Sequence, residues 1–236
     1  MTSLARGVPR PLKRGLRRVV PKRYWRHFDP NWHRHTKWWS DWEQMGELQF
    51  DFMVSQGLRP AHYFLDVGCG ALRGGIHFIR YLERGHYFGV DRRADRLDIG
   101  VKIELPRHGL VEKQPVIRQI GDFGFAKLGR TFDFALAQSV FTHLPLNKII
   151  RCLMNIERAL VPGGRFYATI YLTEEGKKNL DPIQQTTQIV SHFDKNPFHY
   201  DLDTLRWICE GTSLALEQVG DWESPRNQQM ILFTKT

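Results

Sequence analysis

The segment Phe64-Leu65-Asp66-Val67-Gly68-Cys69-Gly70-Ala71-Leu72-Arg73-Gly74-Gly75 constrains this chain more than any other stretch. A short apolar run ending in closely spaced glycines predicts a buried strand that turns sharply into a helix, leaving backbone that a ligand can approach. A dinucleotide fingerprint would place its third glycine three residues after the second, whereas here Gly70 is followed by Gly74 and Gly75. Asp66 also argues against a pyrophosphate, because a carboxylate there repels phosphate and accepts hydrogen bonds from an ammonium or from ordered water. Asp91 closes a second strand-like run 25 residues after Asp66, where an acid can accept both hydroxyls of a ribose. A cationic nucleoside without phosphates satisfies both acids.

From His62 onward, strand-like and helix-like runs alternate. Strands are expected at His62 to Val67, Tyr87 to Asp91, Val116 to Gly121, Phe132 to Ala137, Arg165 to Ile170, Ala215 to Gly220 and Gln229 to Thr234. Helices are expected at Arg73 to Glu83, Asp95 to Leu105, Leu146 to Leu160 and Asp201 to Cys209. Such alternation implies an α/β, Rossmann-like architecture: a mostly parallel sheet with helices on both faces. Residues 171–200 are rich in Pro, Asn, Gln and Lys and read as an inserted loop or cap. A 236-residue chain buries enough apolar surface to need neither disulfides nor metals, and no apolar run reaches transmembrane length. Cys69, Cys152 and Cys209 are odd in number and far apart, so no zinc site or disulfide framework is indicated, and a reducing, cytoplasmic setting fits.

Charge is concentrated at one end. Of 34 Lys+Arg, nine lie in residues 1–28 with no acid among them, and the remaining 25 equal the 25 Asp+Glu of the chain. Residues 1–28 therefore read as a basic flexible arm. A solvated leader, an arm for an anionic membrane surface or other polyanion, and an Arg-rich targeting peptide are the competing readings. Residues 29–60 read as an N-terminal helical lid, with Trp38, Trp42, Met45, Gln49 and Phe52 recurring on one helical face. Trp42 is a candidate substrate-binding residue there. The His33-Arg34-His35 pair lacks a third ligand, and no metal site is assigned.

The segment Leu65 to Asp91, together with Gly121-Asp122, Phe132 to Ser139 and Ala159-Leu160-Val161-Pro162-Gly163-Gly164, resembles the class I S-adenosylmethionine-dependent methyltransferases. The resemblance covers residues 61–236. It implies a seven-stranded, mostly parallel sheet whose last strand runs antiparallel, S-adenosyl-L-methionine as cofactor and S-adenosyl-L-homocysteine as product. Carried onto this chain, Asp66, Gly68, Cys69 and Gly70 form the loop under the methionine part. Asp91, with Arg92 beside it, takes the ribose; Asp122 and Phe123 adjoin the adenine; Gln138 and Ser139 line the sulfonium and the substrate. Arg73 departs from the commonest form of the loop, and either pairs with the cofactor carboxylate or covers the helix surface.

The acceptor is read from what surrounds the fourth strand. A hydroxyl needs a positioned base, and His143 in Ser139-Val140-Phe141-Thr142-His143-Leu144-Pro145 is the candidate, a capping or packing histidine being the alternative. His199 and Tyr200, after the insertion, are candidate acceptor contacts, and Asp201 caps the following helix. Ala137-Gln138-Ser139-Val140 replaces the Asp/Asn-Pro-Pro-Tyr of base-amino methyltransferases, so DNA is an unlikely substrate. The formally neutral core argues against an extended nucleic-acid groove. A small polar acceptor remains, with a saccharide favoured. The Phe64 to Asp91 region, the SVFTHLP run and Ser224-Pro225-Arg226-Asn227-Gln228 are also similar to bacterial methyltransferases of polysaccharide and glycolipid assembly, including those of mycobacterial polymethylated polysaccharides. Two other classes stay open: a modification enzyme of RNA or of a translation-machinery protein held by the arm, and a non-catalytic cofactor-binding partner subunit. The sequence leaves dependence on a divalent metal open. The cytoplasmic location would be peripheral to the inner membrane surface if the arm holds lipid headgroups.

Overall fold

The computed structural model describes residues 42–174 and 180–236. The chain forms two compact units, Met1–Met45 and Gly46–Thr236. Of the first, only Trp42 to Met45 are described, so the basic arm, the tryptophans before Trp42 and the His33–His35 pair lie outside the described residues. Among the described residues no helix is long and apolar enough to cross a membrane.

The elements follow the expected alternation: α1 (Trp42–Ser55), β1 (Phe64–Val67), α2 (Gly75–Tyr81), β2 (Tyr87–Asp91), α3 (Ala94–Ile99), β3 (Val116–Gln119), β4 (Phe132–Ala137) and α4 (Leu146–Ala159). They continue with β5 (Leu160–Leu172), β6 (Ile183–Thr186), β7 (Ile189–Ser191), β8 (His199–Tyr200), α5 (Leu202–Cys209), β9 (Leu214–Gly220) and β10 (Gln229–Lys235). The main sheet has the order β3-β2-β1-β4-β5-β10-β9, and β8 pairs with β5 beside it. Neighbours from β3 to β5 are parallel, while β10 runs antiparallel to both β5 and β9. The sheet therefore matches the expected mostly parallel Rossmann-like architecture with an antiparallel last strand.

β1 and β2 are buried along their whole length, which is why they read as continuous apolar runs. Their alternate side chains serve different neighbours. Leu65, Val67, Phe88 and Val90 belong to a core that includes Ile149, Cys152, Leu153 and Ile156 of α4, whose three- and four-residue spacing makes one apolar stripe. Phe166 stacks on Phe233 at 5.7 Å within this core and Phe141 meets the two at 5.8 and 6.4 Å, each burial being worth about 1.5–3 kcal/mol. Phe64, from the other set, stacks on Phe78 of α2 at 4.4 Å, and Phe50 of α1 meets the edges of Phe78 and Tyr81. Asp66 shares the alternation of Phe64.

Three local features differ from the expectation. The helix expected at Asp95 to Leu105 starts at Ala94, widens into a π turn at Gly100–Glu104 and ends with Leu105–Arg107. Pro106 lacks the N–H that would bond the carbonyl of residue 102, and widening the turn just before it avoids the steric clash. β5 begins at Leu160 rather than Arg165, because Leu160 pairs with Phe132 before the register shifts to Phe134 opposite Arg165. The insertion is not a bare loop: β6 and β7 form an antiparallel hairpin, and β8 adds a parallel pair to Tyr171 and Leu172. At its far end Asp201 caps α5 as expected, accepting from Thr204 N at 2.7 Å and from the Thr204 hydroxyl at 2.9 Å.

Candidate active site

The turn after β1 is made of backbone that only certain residues tolerate. Gly68 and Gly70 sit at φ 79° and 56°, and a Cβ on Gly68 would lie 2.6 Å from Val140 Cγ2. The Gly68 and Cys69 amides bond the Val90 carbonyl at 2.7 and 3.1 Å, tying the turn to the end of β2. Asp91 completes the tie, its Oδ2 accepting from Gly70 N at 3.0 Å and its Oδ1 from Arg93 N at 2.8 Å. An ionised carboxylate offers about four lone-pair sites, so each oxygen keeps one for a ribose hydroxyl. Arg92, next in the chain, is exposed, and Gly121 lies opposite it, where a Cβ would stand 3.2 Å from Arg92 Cβ.

Asp66 occupies the buried floor of the turn. Tyr87, the register partner of Phe64 on β2, reaches along the sheet to donate its hydroxyl to Asp66 Oδ2 at 2.7 Å. Gly75 admits this hydroxyl, since a Cβ there would come within 2.6 Å of it. Burial pushes the Asp66 carboxyl up to about 7; the charge of Asp91 adds to the rise, while the Tyr87 hydrogen bond and Arg73 oppose it. Burial also drives the Cys69 thiol and the Tyr87 phenol well above their ordinary ranges, with both held neutral beside the two acids. A cation placed here favours the ionised form of Asp66, which is the fit expected for the ammonium of an amino-acid tail.

A second group lies at the carboxyl end of β4. Arg73 Nη2 donates to Gln138 Oε1 at 3.0 Å, Gln138 Nε2 donates to Ser139 Oγ at 2.8 Å, and Ser139 Oγ donates to Gln228 Oε1 at 3.0 Å. Ser139 adopts a left-handed φ of 53°, held by its amide donating to the buried Thr169 hydroxyl at 2.7 Å. Arg73 thus reaches an amide just past the end of β4, a contact that neither expectation for this residue included. Gln228 is itself buried, and its carbonyl accepts from Trp222 Nε1 at 2.8 Å.

Other expected residues fall elsewhere. Asp122 is exposed on the loop after β3, bonded to Lys127 at 2.9 Å and Gly124 N at 3.1 Å; the lysine holds its carboxyl below the usual range. Phe123 beside it has a positive φ of 61° and packs against the main core. His199 is buried, with Nδ1 2.9 Å from Ser191 Oγ, in a chain running through Gln185 to Asn227. The Tyr200 hydroxyl donates to the Leu144 carbonyl at 2.8 Å. His143 is exposed on the turn Phe141–His143, its Nδ1 2.6 Å from Asn196 Oδ1. Trp42 is a buried residue at the start of α1. Among the described residues no three His, Cys, Asp or Glu side chains gather to hold a metal ion. Sequence reasoning missed Tyr87, Thr169 and Gln185 and gave Gln228 no individual role; for Tyr87 the signal was available, because it shares the alternation of the acid at the end of its own strand.

Residues 65–166 match the family model of a methyltransferase domain. Among solved structures the chain is similar to magnesium protoporphyrin IX methyltransferase of Synechocystis with bound S-adenosylhomocysteine, at TM-score 0.61 and 13% identity over 85% of this chain and 88% of that one. A glycopeptide N-methyltransferase matches at TM-score 0.60 and 12% identity, over 81% and 90% of the two chains. An S-adenosylmethionine-dependent methyltransferase of Clostridium acetobutylicum matches at 0.60 and 12%, over 90% and 97%. At these identities the likeness is one of fold. Sheet order, the glycine turn over Asp66 and the acid closing β2 fit the methyltransferase domain that residues 65–166 match, and they support an S-adenosylmethionine-dependent methyltransferase.

Asp91 carries the first expected outcome. Asp91→Ala should weaken S-adenosylmethionine by about 1–3 kcal/mol, since a buried site loses a charged hydrogen-bonding partner and the Gly70 amide loses its acceptor. Isothermal titration reads this directly, and equal affinities would remove the ribose assignment.

Proposed function

We propose that the enzyme methylates a hydroxyl of a small polar acceptor, with a saccharide as the favoured class and His143 as general base. The observation that carries this reading is the character of the carboxyl ends of β4 and β5. The side chains gathered there are amides and hydroxyls, namely Gln138, Ser139, Thr169 and Gln228, with His143 four residues beyond Ser139. Such groups exchange hydrogen-bond partners with a polyol at small electrostatic cost. A saccharide hydroxyl is neutral and a poor nucleophile, which is why a base is needed.

Bound S-adenosylmethionine supplies a methyl carbon activated by the adjacent sulfonium. Asp66, Gly68 and Gly70 would lie under its methionine part, with Asp66 toward the ammonium, and Asp91 would take the ribose. Ser139, held in its left-handed conformation with Thr169 and Gln228 as partners, would line the wall that positions the acceptor hydroxyl. His143 would take the acceptor's O–H proton, while the bound sulfonium would supply the methyl group to the acceptor oxygen and keep the carbon–sulfur electron pair.

Two steps test this. Titration with S-adenosylmethionine and S-adenosylhomocysteine should give micromolar binding, with NAD inert, on the intact chain and on one lacking residues 1–28. Radiolabelled methyl transfer should then be measured with mannose and glucose oligosaccharides and, separately, with ribosomal RNA and ribosomal proteins. Label in the oligosaccharides supports the reading. Label in RNA or protein that disappears with residues 1–28 would replace it with the second one, which the nine cations of that arm favour.

A further inference from the structure

The geometry points to Asn196 as a positioning residue for His143: its side-chain carbonyl fixes the imidazole as the Nδ1–H tautomer and leaves Nε2 as the nitrogen that takes a proton. This rests on the base reading of His143 and adds to it the residue that makes the base competent.

A neutral imidazole has one N–H and one lone pair, and only the lone pair can accept. Nδ1 of His143 lies 2.6 Å from Asn196 Oδ1, an atom that carries no hydrogen. The proton of the neutral ring therefore sits on Nδ1. The contact joins residues 53 apart in sequence, and it is not the only bond between the two segments. Phe198 N donates to the Thr142 carbonyl at 2.8 Å, so consecutive residues of the Phe141–His143 turn are bound by the same short piece of the insertion. That piece is braced in turn. His192 N donates to the Pro197 carbonyl at 2.8 Å, His199 N donates to the His192 carbonyl at 3.0 Å, and β8 follows directly, paired to β5.

His199 provides the contrast. Ser191 Oγ accepts from Gln185 Nε2 at 2.8 Å and lies 2.9 Å from His199 Nδ1, and with one proton and a second lone pair it can either donate to that ring or accept from it. The difference lies in the partner: an amide oxygen can only accept, so Asn196 leaves Nε2 of His143 with the lone pair, whereas a hydroxyl imposes neither tautomer on His199. The insertion thus supplies the base with its orienting partner, a role similar to that of the third member of a nucleophile–base–orienter arrangement.

The test uses the full chain labelled with nitrogen-15 in histidine. Long-range proton–nitrogen correlation spectra, with the His143 signals assigned by their loss in His143→Gln, report which ring nitrogen is protonated. The expected result is Nδ1–H for His143 in the wild type, a switch toward Nε2–H in Asn196→Ala, and retention of Nδ1–H in Asn196→Asp, which keeps an acceptor oxygen. Methyl transfer to mannose and glucose oligosaccharides should fall at least about tenfold in kcat for Asn196→Ala with unchanged affinity for S-adenosylmethionine, and recover in part in Asn196→Asp. Finding Nε2–H in the wild type, or the same tautomer in Asn196→Ala, overturns the proposal. Full turnover in Asn196→Ala beside an inactive His143→Ala overturns the positioning role alone, whereas full turnover in His143→Ala removes the base reading on which it rests. The Asp variant guards against a misfolded insertion, since it must restore both tautomer and rate.

Discussion

Asp66→Asn should make the ligand-free protein more stable at pH 8, by up to about 4 kcal/mol, while leaving stability at pH 4 nearly unchanged. The carboxyl titrates at about 7 in the folded chain against an ordinary value of 3.8, because burial penalises its charged form. The folded state therefore holds this proton more tightly than the unfolded state. The stability tied to that proton is fully present below pH 3.8, is lost progressively as pH rises through 7, and stays lost above. A rise of about three pKa units corresponds to roughly 4 kcal/mol, an upper bound since the folded site relaxes. Asparagine has no such proton to lose, and its carbonyl still accepts from the Tyr87 hydroxyl. Denaturant unfolding of both proteins at pH 5, 6, 7 and 8 checks this, and two parallel stability curves would refute it. The same linkage gives wild-type affinity for S-adenosylmethionine a rising limb between pH 5 and 8, as Asp66 ionises to meet the ammonium. The variant should bind more weakly and lose this limb.

The second large effect lies in turnover. His143→Ala should lower kcat by a factor on the order of 10² to 10⁴, the range for removing a positioned general base, with S-adenosylmethionine affinity kept. The separation follows from position: His143 is exposed on the turn after β4, whereas the residues assigned to the cofactor lie on the turns after β1, β2 and β3 and just past the end of β4. Steady-state kinetics with the radiolabelled donor, paired with calorimetry, separates the two quantities. Unchanged kcat would return His143 to a packing or capping role.

Much of the fold was legible because punctuation and burial agree. β2 and β4 match their expected limits, Tyr87–Asp91 and Phe132–Ala137, since each apolar run is bounded by polar or glycine-rich sequence. The β6–β7 hairpin was not legible, because Gln184, Gln185 and Thr186 interrupt the apolar alternation that marks a strand. The site divides the same way. Asp66, Gly68, Gly70 and Asp91 were readable from one local turn and its spacing. Ser139–Gln228, 89 residues apart, and His143–Asn196 arise only from tertiary register, which no window of sequence contains.

The place of β10 in the sheet has a consequence for synthesis. Among the described residues strand β9 bonds only to β10, which fills the gap between β9 and β5, so an interior strand is made after the edge strand that depends on it. Until residues 229–235 leave the ribosome, β5 shows one unpaired edge and β9 has nowhere to dock. Gln228, which holds Ser139, arrives in the same moment. While residues 173–228 are being added, β5 keeps one edge open, and the Ser139–Gln228 contact forms only after that stretch has been made.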